Sequence, residues 1–375
     1  MTLAQTPFEL AQSLVLAHVA PTVAVGWAVR RAGHAWESRS AEAIDRSGGG
    51  GTPIDFGQGG AIFDLASLTK PMTAFAAAHS DCHRTDVLGS FLATARGTPS
   101  ESVSLELLLA HRAGLEAHAP LYLPLTQGKE VKRHRALVQA ASARRADAVG
   151  LPPPDGFAPV YSDLGYLLVG EALAQKERAR DAGEIIEARV VAPLKLRDEL
   201  GTARALDARG IGFAERVVPT EIVPWRGGEV RGRVHDENAW ALGNRGGEGH
   251  AGMFGTVGAV LAFGCAALDA VVHGQGPLSA GDLGWLVTER PGGTLRAGFD
   301  GKSECDSSAG KRAGQRAFGH LGFTGTSLWI DPDAGAVVVV LTNRVYYTRE
   351  NTRIRAARPA AHDALFAMAA NAQAQ

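Results

Sequence analysis

A serine stands three residues ahead of a lysine in Ser67-Leu68-Thr69-Lys70, and Pro71 follows at once. A serine hydroxyl is a weak nucleophile until a base takes its proton. A lysine amine serves as that base only when burial or a neighbouring positive charge lowers its pKa. Residues three apart on a helix share a face. Proline is tolerated in a first turn, where backbone N–H groups lack intrahelical acceptors, so Pro71 predicts a helix beginning close to Ser67. The field at such a terminus favours a developing anion. The competing reading is a helix cap beside a surface lysine. A second match, Ser308-Ala-Gly-Lys311, lies in the Gly/Ser-rich stretch 301–314 with no helical continuation and is read as accidental.

Two further groups carry chemistry in the same order along the chain. Tyr161-Ser162-Asp163 follows a Pro-rich stretch and precedes an apolar helical run, which places a phenol and a hydroxyl at a helix start; by itself it reads as an N-cap. His320-Leu321-Gly322-Phe323-Thr324-Gly325-Thr326 opens a strand pattern in which glycine lets a ligand approach the backbone closely. Other clusters are weaker. His79, Cys82 and His83 read as a solvated helix end and not as a metal site. His235-Asp236-Glu237-Asn238 reads as a capped turn that could line a cleft, and His250 as a loop hydrogen-bonder. The absence of Gly-x-Ser-x-Gly argues against an α/β-hydrolase.

Together these three groups resemble the motifs of the serine β-lactamase and penicillin-binding-protein superfamily, whose pattern joins Ser-x-x-Lys to a second motif and a Lys-Thr-Gly. The texture is most similar to the class C-like branch, with its esterases and D-aminopeptidases, on segments 63–71, 107–115, 161–170, 249–254 and 320–332. The resemblance implies Ser67 as the acylated nucleophile, Lys70 as its base, and Tyr161 as a partner in proton transfer. It implies an oxyanion hole formed by the backbone N–H groups of Ser67 and Phe323, and a substrate-binding surface that includes Asp163, His320, Leu321, Gly322 and Phe323. An alternative alignment, with Ser162-Asp163-Leu164 as the second motif, would move the proton relay to Ser162. Three departures stand out. Asp163 replaces an amide donor by an acceptor when ionised, His320 replaces an ammonium, and Leu321 replaces a hydroxyl. All three weaken recognition of an anion, so the expected substrate is a small, largely uncharged ester or amide, with a β-lactamase or DD-carboxypeptidase as the alternative. A penicillin-binding sensor or other non-catalytic module is the reading from another class. Neither metal nor cofactor is expected.

These residues need elements to hold them. Helical spacing is expected over 6–20, 69–78, 105–110, 131–148, 164–174, 182–190 and 256–272, and strands over 23–29 and 35–44. A turn is expected at 30–33, a flexible glycine-rich link at 47–60, and loops over 207–245. Runs of strand-formers at 326–330 and 336–342 flank Asp331-Pro332-Asp333-Ala334-Gly335, where Pro sets one turn dihedral and Gly supplies positive φ. A last helix is expected from Pro359 to Ala372. Strands at both ends with helices between them predict an α/β (α+β) fold: an antiparallel sheet flanked by the terminal helices, with an inserted, mostly helical lobe. The expected division is 1–62 with 245–375 for the sheet domain and 63–244 for the insert, with a site in the cleft between them.

Composition excludes other classes. Of the 375 residues, 38 are Lys or Arg and 39 are Asp or Glu, so no basic footprint for nucleic acid exists. Cys82, Cys265 and Cys305 are too few and too scattered for a disulfide framework or a Cys-x-x-Cys metal site. Two twenty-residue windows without charged residues, 10–29 and 249–268, contain proline, histidine or several glycines and read as buried helix and loop, not membrane spans. The first has no basic start of the kind a secretory signal carries. A cytoplasmic location is therefore expected.

Overall fold

A computed structural model describes residues 6–31, 35–45 and 59–375. The expected glycine-rich link at 47–60 falls almost wholly outside these residues, as does the second half of the turn at 30–33. The N-terminal helix α1 (Pro7–Leu16) opens on a reciprocal cap: the Thr6 hydroxyl accepts the Glu9 N–H and the Glu9 carboxylate accepts the Thr6 N–H. Two donors that the helix itself cannot satisfy are thereby paired. Strand β1 (Thr22–Arg30) then pairs antiparallel with β2 (Trp36–Ile44).

A two-residue strand, β3 (Phe63–Asp64), runs through a short 3-10 turn at Ala66–Leu68 into helix α2 (Thr69–Ala78). The helical stretch follows, with α3 (Leu105–Leu109), α4 (Arg133–Ser142) and α5 (Asp163–Glu177). Strands β4 (Leu200–Thr202) and β5 (Met253–Gly255) complete a small sheet of order β3-β5-β4. Helix α6 (Val257–His273) leads to strands β6 (Asp300–Gly301), β7 (Phe318–Leu321), β8 (Ser327–Asp331) and β9 (Ala336–Thr342), and helix α7 (Ile354–Ala374) closes the chain.

The large sheet has the order β2-β1-β9-β8-β7-β6, with every neighbour antiparallel. Both ends of the chain thus build one sheet, as the pattern predicts. Strand β9 is buried on both faces, which is why its sequence, AVVVVLT, reads as an apolar run without alternation. Val338 and Val340 face α1 and α7 in a cluster with Leu14, Trp329, Leu365 and Phe366. Val337, Val339 and Leu341 face the opposite way, into the core shared with Phe263 of α6 and with the inserted helices. The period of two therefore sorts one strand between two hydrophobic layers.

Three local expectations change. The stretch 207–245 is not all loop: it holds short helices at Phe213–Arg216 and Glu237–Gly243 and a hairpin pairing Glu221–Val223 with Gly228–Val230. These pieces are too short to show a period. The last helix begins at Ile354, not Pro359, with the Asn351 side chain accepting the Arg353 N–H just ahead of its first turn. Pro359 then lies in the second turn. The small β3-β5-β4 sheet is likewise below the length at which pattern reveals a strand. Among the described residues, no helix is long and apolar enough to cross a membrane.

Candidate active site

The turn that presents Ser67 is strained and pinned. Ala66 has a φ of +48°, a left-handed conformation that costs a non-glycine residue about 1–2 kcal/mol. Buried Asp64 holds it there, accepting the Ala66 N–H at 2.8 Å through one oxygen and the His235 N–H at 2.7 Å through the other. The chain thereby reverses from β3 into α2 with Ser67 facing a cleft of about 790 Å³. Every residue from Thr69 to Ala77 is buried, so Lys70 enters the core on an otherwise apolar helix.

The Lys70 side chain is wholly buried. Its Nζ donates to Ser67 Oγ at 2.8 Å, to Asp163 Oδ1 at 2.7 Å and to the His250 carbonyl at 3.3 Å. Burial alone would depress the amine, but the Asp163 carboxylate and Tyr161 reverse that effect and hold Lys70 above its ordinary value. The lowered lysine that a simple serine–lysine pair needs is therefore not the resting state. Asp163, in the first turn of α5, also sits where the helix dipole favours a carboxylate.

Tyr161 precedes that helix, and Lys70 Nζ lies 4.8 Å from its ring centroid. Burial raises the phenol pKa, while the Lys70 ammonium and hydrogen bonds with Lys70 and Ser67 oppose the rise. His111 fixes this arm: its Nδ1 accepts the Ser162 N–H at 3.0 Å, and its ring stacks on Tyr161 at 4.7 Å. Buried beside Lys70, His111 is held well below the usual histidine range, which keeps Nδ1 an acceptor. The Ser162 hydroxyl donates instead to the Glu116 carbonyl at 2.6 Å, so it neither caps α5 nor joins the lysine.

The third motif forms the facing wall. His320, Leu321, Gly322 and Phe323 line the same cleft as Ser67, Tyr161 and Asp163. His320 is buried and its pKa is pushed down to about 3, first by desolvation and then by Lys70. Its Nδ1 lies 2.8 Å from the Leu321 carbonyl, so the neutral ring donates there. Gly322 abuts the turn that bears Ser67: a Cβ in its place would strike Thr326 Oγ1 and come within 2.8 Å of the Leu65 carbonyl oxygen. Phe323 stacks on His235 at 5.6 Å and carries the Arg344 guanidinium 5.0 Å from its centroid.

The structure thus brings Ser67, Tyr161, Asp163, His320, Leu321, Gly322 and Phe323 to one cleft, with Lys70 buried directly beneath Ser67 and Ser162 turned away. The 235–238 segment is the capped turn that the pattern suggested, and His235, Asp236 and Glu237 line the cleft. Asp236 caps the 237–243 helix by accepting the Ala239 N–H at 2.8 Å and pairs with His250 Nε2 at 2.9 Å. Burial opposes ionisation of both, yet each holds the other charged. His235 pairs with Glu221 at 2.7 Å. Arg344, Arg349, Arg355 and Arg358 line the far side of the cleft. No local signal marks these arginines, because what unites them is the packing of α7 and of the segment between β9 and α7 beside the third motif. His79, Cys82 and His83 lie away from the cleft, and no cluster of metal-ligating side chains occurs among the described residues.

Comparison with known proteins agrees with this architecture. The chain is 26% identical over 254 residues to an N-acetylmuramyl-L-alanine amidase of Bacillus subtilis (strain 168); the match covers 63% of this chain and 55% of that protein, so the chain spans little more than half of the relative. The fold is shared with a class C β-lactamase from Rhodobacter sphaeroides (TM-score 0.63, 16% identity, covering 96% of this chain and 97% of the other). It is shared equally with EstCE1, a hydrolase with promiscuous acyltransferase activity (TM-score 0.64, 18% identity, 95% and 96% covered). The Beta-lactamase family matches across residues 17–362, nearly the whole length, and the chain belongs to that family.

Proposed function

We propose that this protein is a serine hydrolase that cleaves a small ester or amide through an acyl-enzyme on Ser67. The observation that carries the reading is the unbroken hydrogen-bond path from Ser67 Oγ through Lys70 Nζ to Asp163, with Tyr161 packed over it at the mouth of the cleft. Ser67 Oγ forms a bond to the substrate carbonyl carbon and the bond to the leaving oxygen or nitrogen breaks. The Ser67 proton passes to the Lys70–Tyr161 pair in its singly deprotonated form and from there to the leaving group. Water then releases the acyl group by the same route in reverse. Backbone N–H groups of Ser67 and Phe323 would hold the oxyanion; removing one such donor typically costs about 2.7–4 kcal/mol of transition-state stabilisation. The scheme calls on no cofactor.

The test is to incubate the wild type and Ser67→Ala with nitrophenyl esters, a chromogenic cephalosporin and D-amino-acid amides, and to look for an acyl adduct by intact mass. The expected result is an adduct in the wild type alone and a fall in kcat of about 10³-fold or more in Ser67→Ala. Undiminished turnover in the variant would overturn the reading, and an adduct without turnover would point to a sensor.

A further inference from the structure

Release of an acyl group from a serine calls for a base that meets water, and among the described residues the cleft holds few groups free to be one. Lys70 rests as an ammonium held by Asp163. The carboxylates are engaged: Asp236 with His250, Glu221 and Glu237 with Arg349, and Asp300 with Thr294 and the Gly301 N–H. His320 turns Nδ1 to the Leu321 carbonyl, and His235 is buried against Glu221. His118 differs from all of these. It lines the same cleft with its side chain 44% exposed, and its ring has one polar neighbour among the described residues, Asp163 Oδ2, 3.9 Å from Nδ1.

The segment that carries His118 is pinned on both sides. The Glu116 carbonyl accepts the Ser162 hydroxyl at 2.6 Å, and the Ala117 carbonyl accepts the Asp163 N–H at 3.0 Å. Beyond the histidine, buried Asn238 donates to the Ala119 carbonyl at 2.8 Å and accepts the Tyr122 N–H at 3.2 Å. His118 therefore stands on backbone tied to the second motif and to the 237–243 helix. Its contact with Asp163 is too long for a hydrogen bond, yet a carboxylate at this distance favours an imidazolium. The two Asp163 oxygens are thus divided, Oδ1 holding Lys70 at 2.7 Å and Oδ2 facing His118. With Nδ1 toward the carboxylate, Nε2 is the nitrogen left to accept a proton from water.

We infer that His118 is a further catalytic residue, the base that takes a proton from the hydrolytic water. The inference rests on the acyl-enzyme reading of Ser67 and assigns the water-facing end of its return route. As the water oxygen bonds to the acyl carbon, one water proton passes to His118 Nε2. As the bond from that carbon to Ser67 Oγ breaks, the Lys70–Tyr161 pair returns a proton to Oγ, which lies 2.8 Å from Lys70 Nζ. Asp163 Oδ2 faces the new imidazolium while the pair gives up its proton, so the carboxylate keeps a cation beside it. The imidazolium then restores the pair's proton through water in the cleft. Atoms and charge balance without a further reactant.

The test acylates the wild type, His118→Gln and His118→Ala with a nitrophenyl ester, locates the adduct by peptide mass mapping, and follows its decay once excess ester is removed. All three proteins are expected to be acylated on Ser67 at similar rates. Decay of the adduct should slow about 100-fold or more in both variants, the lower end of what a positioned general base contributes. Nitrophenol release by the variants then becomes a stoichiometric burst followed by slow turnover. Imidazole added to the His118→Ala adduct should restore part of the lost rate. Hydroxylamine attacks without a base and should discharge the three adducts at similar rates. His134→Gln removes an exposed histidine that does not line the cleft, and its adduct should decay as the wild-type adduct does. Wild-type decay in His118→Gln overturns the inference. So does slow discharge of that variant's adduct by hydroxylamine, which would mean a distorted site and not a missing base. Absence of any adduct on Ser67 in the wild type overturns the acyl-enzyme reading and this inference with it, whereas an adduct with unchanged decay in the variants overturns the role of His118 alone.

Discussion

Asp163 decides the charge of the lysine beside Ser67. At 2.7 Å it makes Lys70 a resting ammonium, although burial in an apolar helix would otherwise favour the amine. In the proposed scheme the active form has one proton fewer on the Lys70–Tyr161 pair, so activity is lost as pH falls. A carboxylate that raises Lys70 places this acidic limb at higher pH. Asp163→Asn is therefore expected to shift the limb of kcat/KM to lower pH and to raise the rate near neutrality, by about tenfold for each unit the limb moves. A pH–rate profile of both proteins checks this, and a limb that stays in place would show that Asp163 does not govern the proton. The Ser-x-x-Lys spacing is legible because three residues along a helix is local geometry. Asp163 is legible as a residue type, but not as the lysine's partner, since the contact spans 93 positions.

At the scale of elements, the site is a junction between the β3–α2 turn and the end of β7. Gly322 permits that junction. The Thr326 hydroxyl reaches across it to the Leu65 carbonyl at 3.0 Å, and Thr324 binds the Asp64 carbonyl at 3.0 Å. Gly322→Ala puts a methyl group into this contact and is expected to push the strand and the Ser67 turn apart. The cost should be about 1–3 kcal/mol of stability, the usual range for overpacking, with a fall in kcat of about tenfold or more if the proposed oxyanion donors, the N–H groups of Ser67 and Phe323, move apart. Denaturant melts together with ester kinetics measure both, and a variant with wild-type kcat and stability would show the junction to be looser than drawn. Sequence suggested that a ligand approaches the backbone closely in this glycine-containing segment. It could not say that the approaching group is the turn bearing Ser67, because β3 and its small sheet are too short to leave a pattern.

At the scale of the whole molecule, the two layers flanking the sheet bury histidines that must stay neutral. His362 on α7 is fully buried, its Nδ1 donating to the Ser308 carbonyl at 2.7 Å and its Nε2 accepting the Ser327 hydroxyl at 2.9 Å. Burial presses its pKa down to about 3, as it does that of His320. The unfolded chain, with histidines near 6.5, binds these protons at a pH where the native protein does not, so stability falls as pH drops from about 6.5 towards 3. The melting temperature should decline over that window, and His362→Asn, though less stable near neutrality by about 1–3 kcal/mol for the broken hydrogen bonds, should show a shallower decline. Equal slopes in the two proteins would mean that His362 is not held neutral.

The order of the three motifs, the helix beginning near Ser67, the strand at β9 and the sheet built from both ends of the chain were legible in the sequence. Each of these is written in local spacing, turn chemistry or periodicity, which act over a few residues. Tertiary structure alone decided the charge state of Lys70 and the arginine-lined wall. Those depend on which side chains meet across long separations, where pairing and desolvation outweigh local preference and no spacing along the chain records the outcome.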